Sequence, residues 1–431
     1  MAPYRASLSR TCLSVAATSA LAGGLWSTAH ASMLDLVGYG ARGMALTGAV
    51  AADARGHEAV YYNPAGLAWS DRRAFTVGYQ HLSLDLSLNG DALSLDSAPA
   101  TVLGFEVPLP FRGALANRLA LGAGFVIPVG SVLLADVPVP GEASYLLLED
   151  RAQTVSLQLA LGVRLSETLA VGAGFIALAQ LGGEIVVAPN ETGRIGSTVN
   201  DELLADYAPT LGVRWTPAPG VSLGTTFRGE SKATFSLPLD ADLGEGFPIP
   251  VPRLDISGVA QYDPRQVVFE VAGHPFEPLP LRLGGGVTWK QWSRYPGAIA
   301  FTAVPDGYPA QPKPEFRDTA VWRIGAELIP GEVIPRVGFA YEPTPVPAQR
   351  GLHNALDNDR LIFGLGLGWR PESLPLRVDA GVQLHELLER SYSKRADRLA
   401  PFGPPEENPG WPKVTHDGRL FAFGLELGIV L

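Results

Sequence analysis

The chain has 431 residues, 33 basic against 43 acidic, with 49 glycines, 37 prolines and one cysteine. A formal charge of −10 argues against a nucleic-acid binder, which needs a cationic surface to meet phosphates, and a lone thiol excludes a disulfide scaffold or a cysteine metal site. Only 18% of residues are charged and 46% are hydrophobic, yet beyond residue 31 there is no run of about twenty apolar residues to make a transmembrane helix, so the composition suits a β-sandwich or a transmembrane β-barrel.

Residues 1–31 read as an export signal: Arg5 and Arg10, an apolar stretch over 13–25, and the small-x-small site Ala29-His30-Ala31. Cys12 lies inside it without the apolar-plus-small run of a lipoprotein signal. The mature chain is expected to begin at Ser32 with no thiol; loss of Arg5 and Arg10 leaves 31 basic and 43 acidic residues, a formal −12.

Residues 32–70 do not alternate. Gly38, Gly40, Gly43 and Gly48 with Ala41, Ala45, Ala49, Ala51 and Ala52 give a chain able to coil tightly. Asn63-Pro64-Ala65-Gly66 marks a turn, because Pro fixes φ and Asn bonds nearby backbone. A compact plug, or hatch, is the expected form. Arg42, Asp53, Arg55, His57 and Glu58 are expected to tie it to a surrounding wall, since buried charges need partners. No second histidine or cysteine lies near His57, so no metal site is expected.

From residue 72 the period is two. In 155–164 the odd positions are apolar and the even ones polar or small, which a strand places on opposite faces. Fourteen strands are expected, near 72–88, 100–108, 116–128, 151–164, 167–182, 207–215, 220–228, 253–261, 279–292, 316–328, 333–342, 360–370, 374–388 and 417–430, with a further hairpin or loop helix possible in 230–250. The even number suits a closed single-chain barrel. Trp215, Trp289, Trp322 and Trp369 fall near strand ends, where a membrane interface favours them. Short turns at 166–168, 217–220 and 329–332 read as periplasmic. The longer stretches 129–150, 183–206, 229–252, 262–278, 293–315, 343–359 and 389–416 read as extracellular. In the last strand Phe421, Phe423, Leu425, Leu427, Ile429 and Leu431 face one way, as a strand closing a sheet onto its first strand requires.

Gly40-Ala41-Arg42-Gly43-Met44-Ala45-Leu46-Thr47-Gly48-Ala49, followed by Ala59-Val60-Tyr61-Tyr62-Asn63-Pro64-Ala65-Gly66-Leu67, resembles the hatch of the outer-membrane long-chain fatty-acid transporters, the FadL family, which also includes aromatic-hydrocarbon channels. LRLGGGVTWKQWSRY from Leu281, Arg323-Ile324-Gly325-Ala326-Glu327, Pro335 to Pro347 and Leu356-Asp357-Asn358-Asp359-Arg360 are similar to its later strands in order. The resemblance implies an all-β, fourteen-stranded barrel with the hatch inside. It also implies an amphipathic ligand bound near the extracellular end, a hatch terminus that rearranges on binding, and sideways release where an early strand kinks inward. Strands near 100–128 are the candidates for that gap, with Gly122, Gly124 and Pro128 interrupting pairing. Two departures stand out: the chain ends in Leu431 and not an aromatic residue, and the outer loops share little sequence with the fatty-acid members.

Apolar groove candidates are the loop 129–148, Phe269, Val271, Phe276, Leu279 and 298–304. Alternation points Arg282, Arg323, Arg336 and Arg377 into the lumen, where luminal acids such as Glu327, Asp379 and Glu426, or the hatch, are the expected partners. Lys290 and Arg294 lie nearer the extracellular rim and are the better candidates for a substrate carboxylate. Enzyme motifs such as G-x-S-x-G and H-E-x-x-H are not found. The expected function is passive outer-membrane transport of long-chain fatty acids or similar hydrophobic compounds by a monomer, without cofactor or metal, with outer-membrane lipid, lipopolysaccharide and the barrel-assembly machinery as partners and no nucleic acid. A porin of other selectivity, a surface ligand-binding or adhesion barrel, and a membrane lipid hydrolase are the alternatives.

Overall fold

The computed structural model describes residues 33–431, apart from 94, 96, 130–142, 146, 149–154, 190–194, 242–253, 277, 298, 302–314 and 402. The segment 1–31 lies outside the described residues. Among the described residues fourteen strands form an antiparallel barrel: β1 (Ala74–Leu88), β2 (Ala98–Pro108), β3 (Leu119–Pro128), β4 (Ser156–Arg164), β5 (Leu169–Pro189), β6 (Ile195–Ala218), β7 (Val221–Arg228), β8 (Gln266–Gly273), β9 (Leu281–Lys290), β10 (Thr319–Leu328), β11 (Val333–Glu342), β12 (Arg360–Trp369), β13 (Leu376–Ser393) and β14 (Lys413–Val430). β14 runs beside β1 from Ala74↔Val430 to Leu88↔His416, so the sheet closes and no edge is left open.

The two faces of this sheet decide between a soluble sandwich and a membrane barrel. Val77, Phe105, Leu121, Leu211, Ile324, Leu365 and Leu425 are exposed on the outer face. Gln80, Glu106, Gln158, Thr226, Glu270, Arg282 and Glu327 are buried on the inner one. Apolar out and polar in is the pattern of a barrel whose outer solvent is lipid. Trp215, Trp289, Trp322 and Trp369 all lie on the outer face, and 165–168, 219–220 and 329–332 are short turns at one end.

The strand expected at 253–261 is not a barrel strand. Leu254–Asp263 pairs with Ser231–Ala241 in a hairpin built into the long connection between β7 and β8. The missing wall strand is β8, which pairs with β7 and β9. Its alternation, Gln266 and Glu270 against Val267, Phe269 and Val271, is carried by only eight residues (Gln266–Gly273), whereas the hairpin strand is longer and so gives the stronger pattern. The count of fourteen survives because one strand replaced another. As a consequence the region 262–278 is no outer loop: Phe269 and Val271 face lipid, and Phe276 and Leu279 are exposed in the turn between β8 and β9. None of the four lines an extracellular groove.

The expected interruption near 100–128 is also absent from the described residues. β2 and β3 pair from Ala100↔Pro128 to Pro108↔Ala120 with no shift of register, and β3 and β4 pair from Leu119↔Val163 to Val126↔Ser156. Gly122 and Gly124 serve another purpose, described below.

Candidate functional site

Residues 33–69 fill the barrel with short helices: α1 (Met33–Val37), α2 (Ala41–Ala45), α3 (Ala59–Tyr62) and the 3-10 turn Pro64–Trp69. Gly40 and Gly48 take φ of +86° and +83°, a left-handed conformation that a Cβ resists, and these two turns let the chain fold back within the width of the lumen. Asn63 then fastens three segments. Its Oδ1 accepts from Ala65 N at 3.1 Å, and its Nδ2 donates to Ala51 O at 2.8 Å and to Val213 O on β6 at 3.0 Å. Pro64 follows at the first helical position, where a missing N–H costs nothing. Ala65 and Gly66 are buried beside it, Gly66 against the backbone of Ala54.

The wall is shaped to receive this plug. Gly162, Gly172 and Gly212 are register partners across β4, β5 and β6, and a Cβ on any of them would collide with Asn63, Pro64 or Leu67–Ala68. On β10, β11 and β12, Gly325, Gly338 and Gly364 form a second row of partners beneath Ala45 and Leu46. Gly122 and Gly124 face Val60, Leu67 and Tyr39 in the same way. These glycines seat the hatch and leave the strand pairing intact.

Charge fixes the hatch below α1. Glu327 on β10 is fully buried and accepts from Arg42 Nε at 3.0 Å, Arg42 Nη2 at 2.7 Å, Arg336 Nε at 2.9 Å and Arg55 Nη2 at 3.2 Å. Asp53 accepts from Arg282 Nε at 3.0 Å and Arg42 Nη2 at 3.2 Å, and Arg336 Nη1 donates to Asp379 at 2.6 Å. Glu270 on β8 accepts from Ala51 N at 2.9 Å. Opposite charges with several hydrogen bonds each are the arrangement that makes burial of ions tolerable. His57 reaches Glu426 on β14 at 3.3 Å. Burial pulls its imidazole pKa down, but the Glu426 carboxylate outweighs it and the value rises to about 9. Glu58 does not bind the wall as expected. Its Oε1 accepts from Gly43 N at 2.9 Å within the hatch, and burial together with Glu426 lifts its pKa to about 7. Arg377 donates to Glu106 at 3.4 Å. A cavity of about 240 Å³ lies among Arg55, His57, Trp69, Arg377 and Glu426.

Toward the extracellular end the surroundings turn apolar. Leu34 of α1 packs in a cluster with Val126, Ile176 and Leu178, and Leu36 and Val37 pack in another with Leu82, Leu86, Leu356 and Leu420. Asp35, the one charge of α1, meets Lys290 Nζ at 2.7 Å and Gln266 Nε2 at 2.5 Å. Lys290, with no exposed surface, also donates to Glu342 at 2.7 Å, and Glu342 pairs with Arg360 at 3.3 Å. Arg228 donates to Gln266 at 2.6 Å and to Tyr61 O at 3.1 Å and lies 4.5 Å over the Tyr61 ring. Arg323 donates to Thr288 Oγ1 at 2.8 Å beside Gly48. Arg228, Thr288, Arg323 and Glu342 line a residual cavity of about 40 Å³ against α1.

Of the residues singled out from sequence, Arg42, Arg282 and Arg336 meet in the network at Glu327 and Asp53, with Gly43, Asn63, Pro64, Ala65 and Gly66 packed in the hatch above the same wall. Lys290 and Arg323 flank α1, and Arg377 borders the lower cavity. Arg294 is separate, half-exposed and paired with Glu230 at 3.3 Å. Phe269 and Phe276 do not join any of these sites. Residues 130–142, 146, 298 and 302–304 of the two loop segments considered for a groove lie outside the described residues. Asp35, Arg228, Gln266, Glu342 and Arg360 were not apparent from the sequence. Asp35 alone carried a signal, as a single acid in the apolar run Met33-Leu34-Asp35-Leu36-Val37.

The family profile of outer membrane protein transport proteins (OMPP1/FadL/TodX) matches residues 13–401. Among solved structures, a FadL homologue from Pseudomonas aeruginosa is similar with a TM-score of 0.61 at 18% identity, over 91% of this chain and 98% of its own. The P. putida toluene transporter TodX gives 0.55 at 14%, over 92% and 99%. The Ralstonia pickettii toluene transporter TbuX gives 0.54 at 15%, over 91% and 99%. At these identities the likeness is one of fold. No curated protein sequence matches the chain.

Proposed function

This chain belongs to the outer membrane protein transport family (OMPP1/FadL/TodX), and from that premise we propose that it conducts long-chain fatty acids, or amphiphiles like them, passively through the outer membrane. The observation that carries the reading is the site around α1. Aliphatic side chains on two sides of that helix face Lys290, Arg228 and Arg323 on another, so one position offers an apolar tail its cover and a carboxylate its cations. Each CH₂ removed from water there returns about 0.8 kcal/mol. A water-filled pore returns nothing of the kind. Flux needs no nucleotide, since the gradient and consumption inside sustain it. In the same reading residues 1–31 are an export signal, 32–70 the hatch and 71–431 the barrel. Lipid and lipopolysaccharide surround the wall, and the barrel-assembly machinery inserts a monomer.

A second reading, neutral aromatic hydrocarbons as the cargo, is favoured by one observation. Tyr262, Trp292, Tyr295 and Phe316 form a cluster of rings among the outer loops, Tyr295 stacked on Phe316 at 4.9 Å, a surface on which aromatic solutes gain from stacking. Titration of the purified, detergent-solubilised protein with labelled oleate, with toluene and a small sugar as competitors, separates the two. Saturable binding that the sugar leaves untouched is the expected result, and competition by toluene widens the class. Folded protein without saturable oleate binding refutes the fatty-acid reading.

A further inference from the structure

We infer that α1 is a built-in stand-in for the ligand: Asp35 occupies the carboxylate position on Lys290 and Gln266, and an incoming fatty acid enters by exchanging its own carboxylate for that of Asp35. The inference rests on the transport reading above and specifies which chemistry opens the site.

Met33-Leu34-Asp35-Leu36-Val37 has the chemical make-up of the cargo, one carboxylate among aliphatic groups. Its aliphatics are buried, Leu34 in one wall cluster and Leu36 and Val37 in the other. Its carboxylate accepts from Lys290 Nζ at 2.7 Å on one oxygen and from Gln266 Nε2 at 2.5 Å on the other. Behind them the wall carries further pairs. Lys290 also holds Glu342, Glu342 pairs with Arg360, and Gln266 accepts from Arg228. Lys290 has no exposed surface, so removal of Asp35 with nothing in its place leaves a buried ammonium one counter-charge short, a state that costs several kcal/mol. A carboxylate that arrives as Asp35 leaves avoids that state. A neutral hydrocarbon does not. The exchange therefore makes the site selective for acids in a way that its apolar lining alone cannot. It also links ligand capture to release of α1, because both are the same set of contacts.

The remaining hatch stays in place during the exchange. Asn63, the Glu327 network and the glycine rows hold residues 41–69 without using Asp35, Lys290 or Gln266. The residual 40 Å³ beside α1 accommodates little more than a water molecule, so ligand enters only as α1 departs.

The test uses full-length barrel in detergent, labelled oleate and its uncharged methyl ester as ligands, and a nitroxide on Met33→Cys in a Cys12→Ser background. Wild type is expected to bind oleate about tenfold more tightly than the ester, the value of one charged hydrogen bond, and oleate mobilises the label. Lys290→Gln erases that preference by weakening oleate alone. Asp35→Asn, which keeps the side-chain shape, tightens oleate about tenfold by removing the competitor and mobilises the label without ligand. Preference retained in Lys290→Gln, or oleate affinity within twofold of wild type in Asp35→Asn, overturns the exchange while leaving transport standing. If Lys290→Gln does not fold, Asp35→Asn decides alone. Wild type that binds neither ligand overturns both readings.

Discussion

Replacing Glu327 by glutamine should free the hatch while sparing the barrel. The carboxylate accepts four N–H groups, three from the hatch residues Arg42 and Arg55 and one from Arg336 on the neighbouring strand. The amide keeps the volume but brings its own N–H₂ toward three guanidinium groups and removes the only acid they share. Taking one partner from a buried ion pair costs about 3–5 kcal/mol. Here Asp53 still holds Arg42 and Asp379 still holds Arg336, which places the loss of hatch docking at the lower end, about 3 kcal/mol and on the order of 100-fold in the undocked population. Hydrogen–deuterium exchange of residues 41–69 reads this directly, with strand amides of the same molecule as reference, and efflux of a small sugar from liposomes reports the opened lumen. Glu386→Gln serves as control. Its pair with Arg419 is on the surface, with Arg419 65% and Glu386 36% exposed, and surface pairs contribute about 0–1 kcal/mol. Hatch exchange within threefold of wild type in Glu327→Gln, or equal acceleration in the strands, refutes the reasoning.

Gly212→Val puts a branched side chain where Asn63 and Pro64 now lie; overpacking of about 1–3 kcal/mol should raise hatch exchange while the barrel still shows heat-modifiable migration, and an unfolded barrel would contradict the seating role. Phe269→Lys places a charge on the lipid face and should lower refolding stability in bilayers by about 2–4 kcal/mol with oleate affinity of the folded fraction unchanged; lost affinity would restore a groove role. The hatch should also loosen with rising pH. His57, raised from 6.5 to about 9, contributes its docking energy in full below about pH 6.5 and loses it through pH 9, and Glu58, raised from 4.5 to about 7, loses its share in the same direction between those values. Hatch exchange corrected for intrinsic rates should rise between pH 6.5 and 9, and His57→Gln should flatten the upper part; an unchanged profile in that variant shows that the Glu426 pair is not the sensor.

Period-two alternation was enough to read closure, because lipid outside and charge inside impose opposite demands on successive residues along every wall strand. It could not choose between Leu254–Asp263 and Gln266–Gly273. Both alternate, and only partner strands far away in sequence decide which one completes the wall. The arginines of the lumen were legible for the same reason as the strands, and so was their kind of partner, since Arg336 meets the luminal acids Glu327 and Asp379 and Arg282 meets Asp53 of the hatch; which hatch residue meets which wall residue was not. Arg42 and Glu327 are 285 residues apart, and spacing carries no trace of such a pair. The glycines misled in one place. Gly122 and Gly124 read as weak points in a strand because a missing side chain loosens pairing, but glycine also admits a close neighbour, and here the neighbours are Val60, Leu67 and Tyr39. Sequence shows the absence of a Cβ without showing what fills the space.

A plug inside a transporter must be held firmly enough to prevent leakage and loosely enough to admit cargo, and the two halves of this hatch divide those demands by contact type. Residues 41–69 sit on glycine rows and on an ion lattice centred on Glu327, where Arg42, Arg282 and Arg336 each hold a second partner and Arg55 adds a further contact to Glu327, so one arriving carboxylate cannot replace the lattice. Residues 33–37 hang from two apolar clusters, one carboxylate and the Tyr61 hydroxyl that donates to Leu34 O. Apolar contacts and a single ion pair are what a fatty acid can reproduce atom for atom, whereas it has nothing to offer the Asn63 amide or the three guanidiniums at Glu327. The part of the plug that resembles the cargo is therefore the part that the cargo can replace, and selectivity and gating follow from one set of residues instead of two.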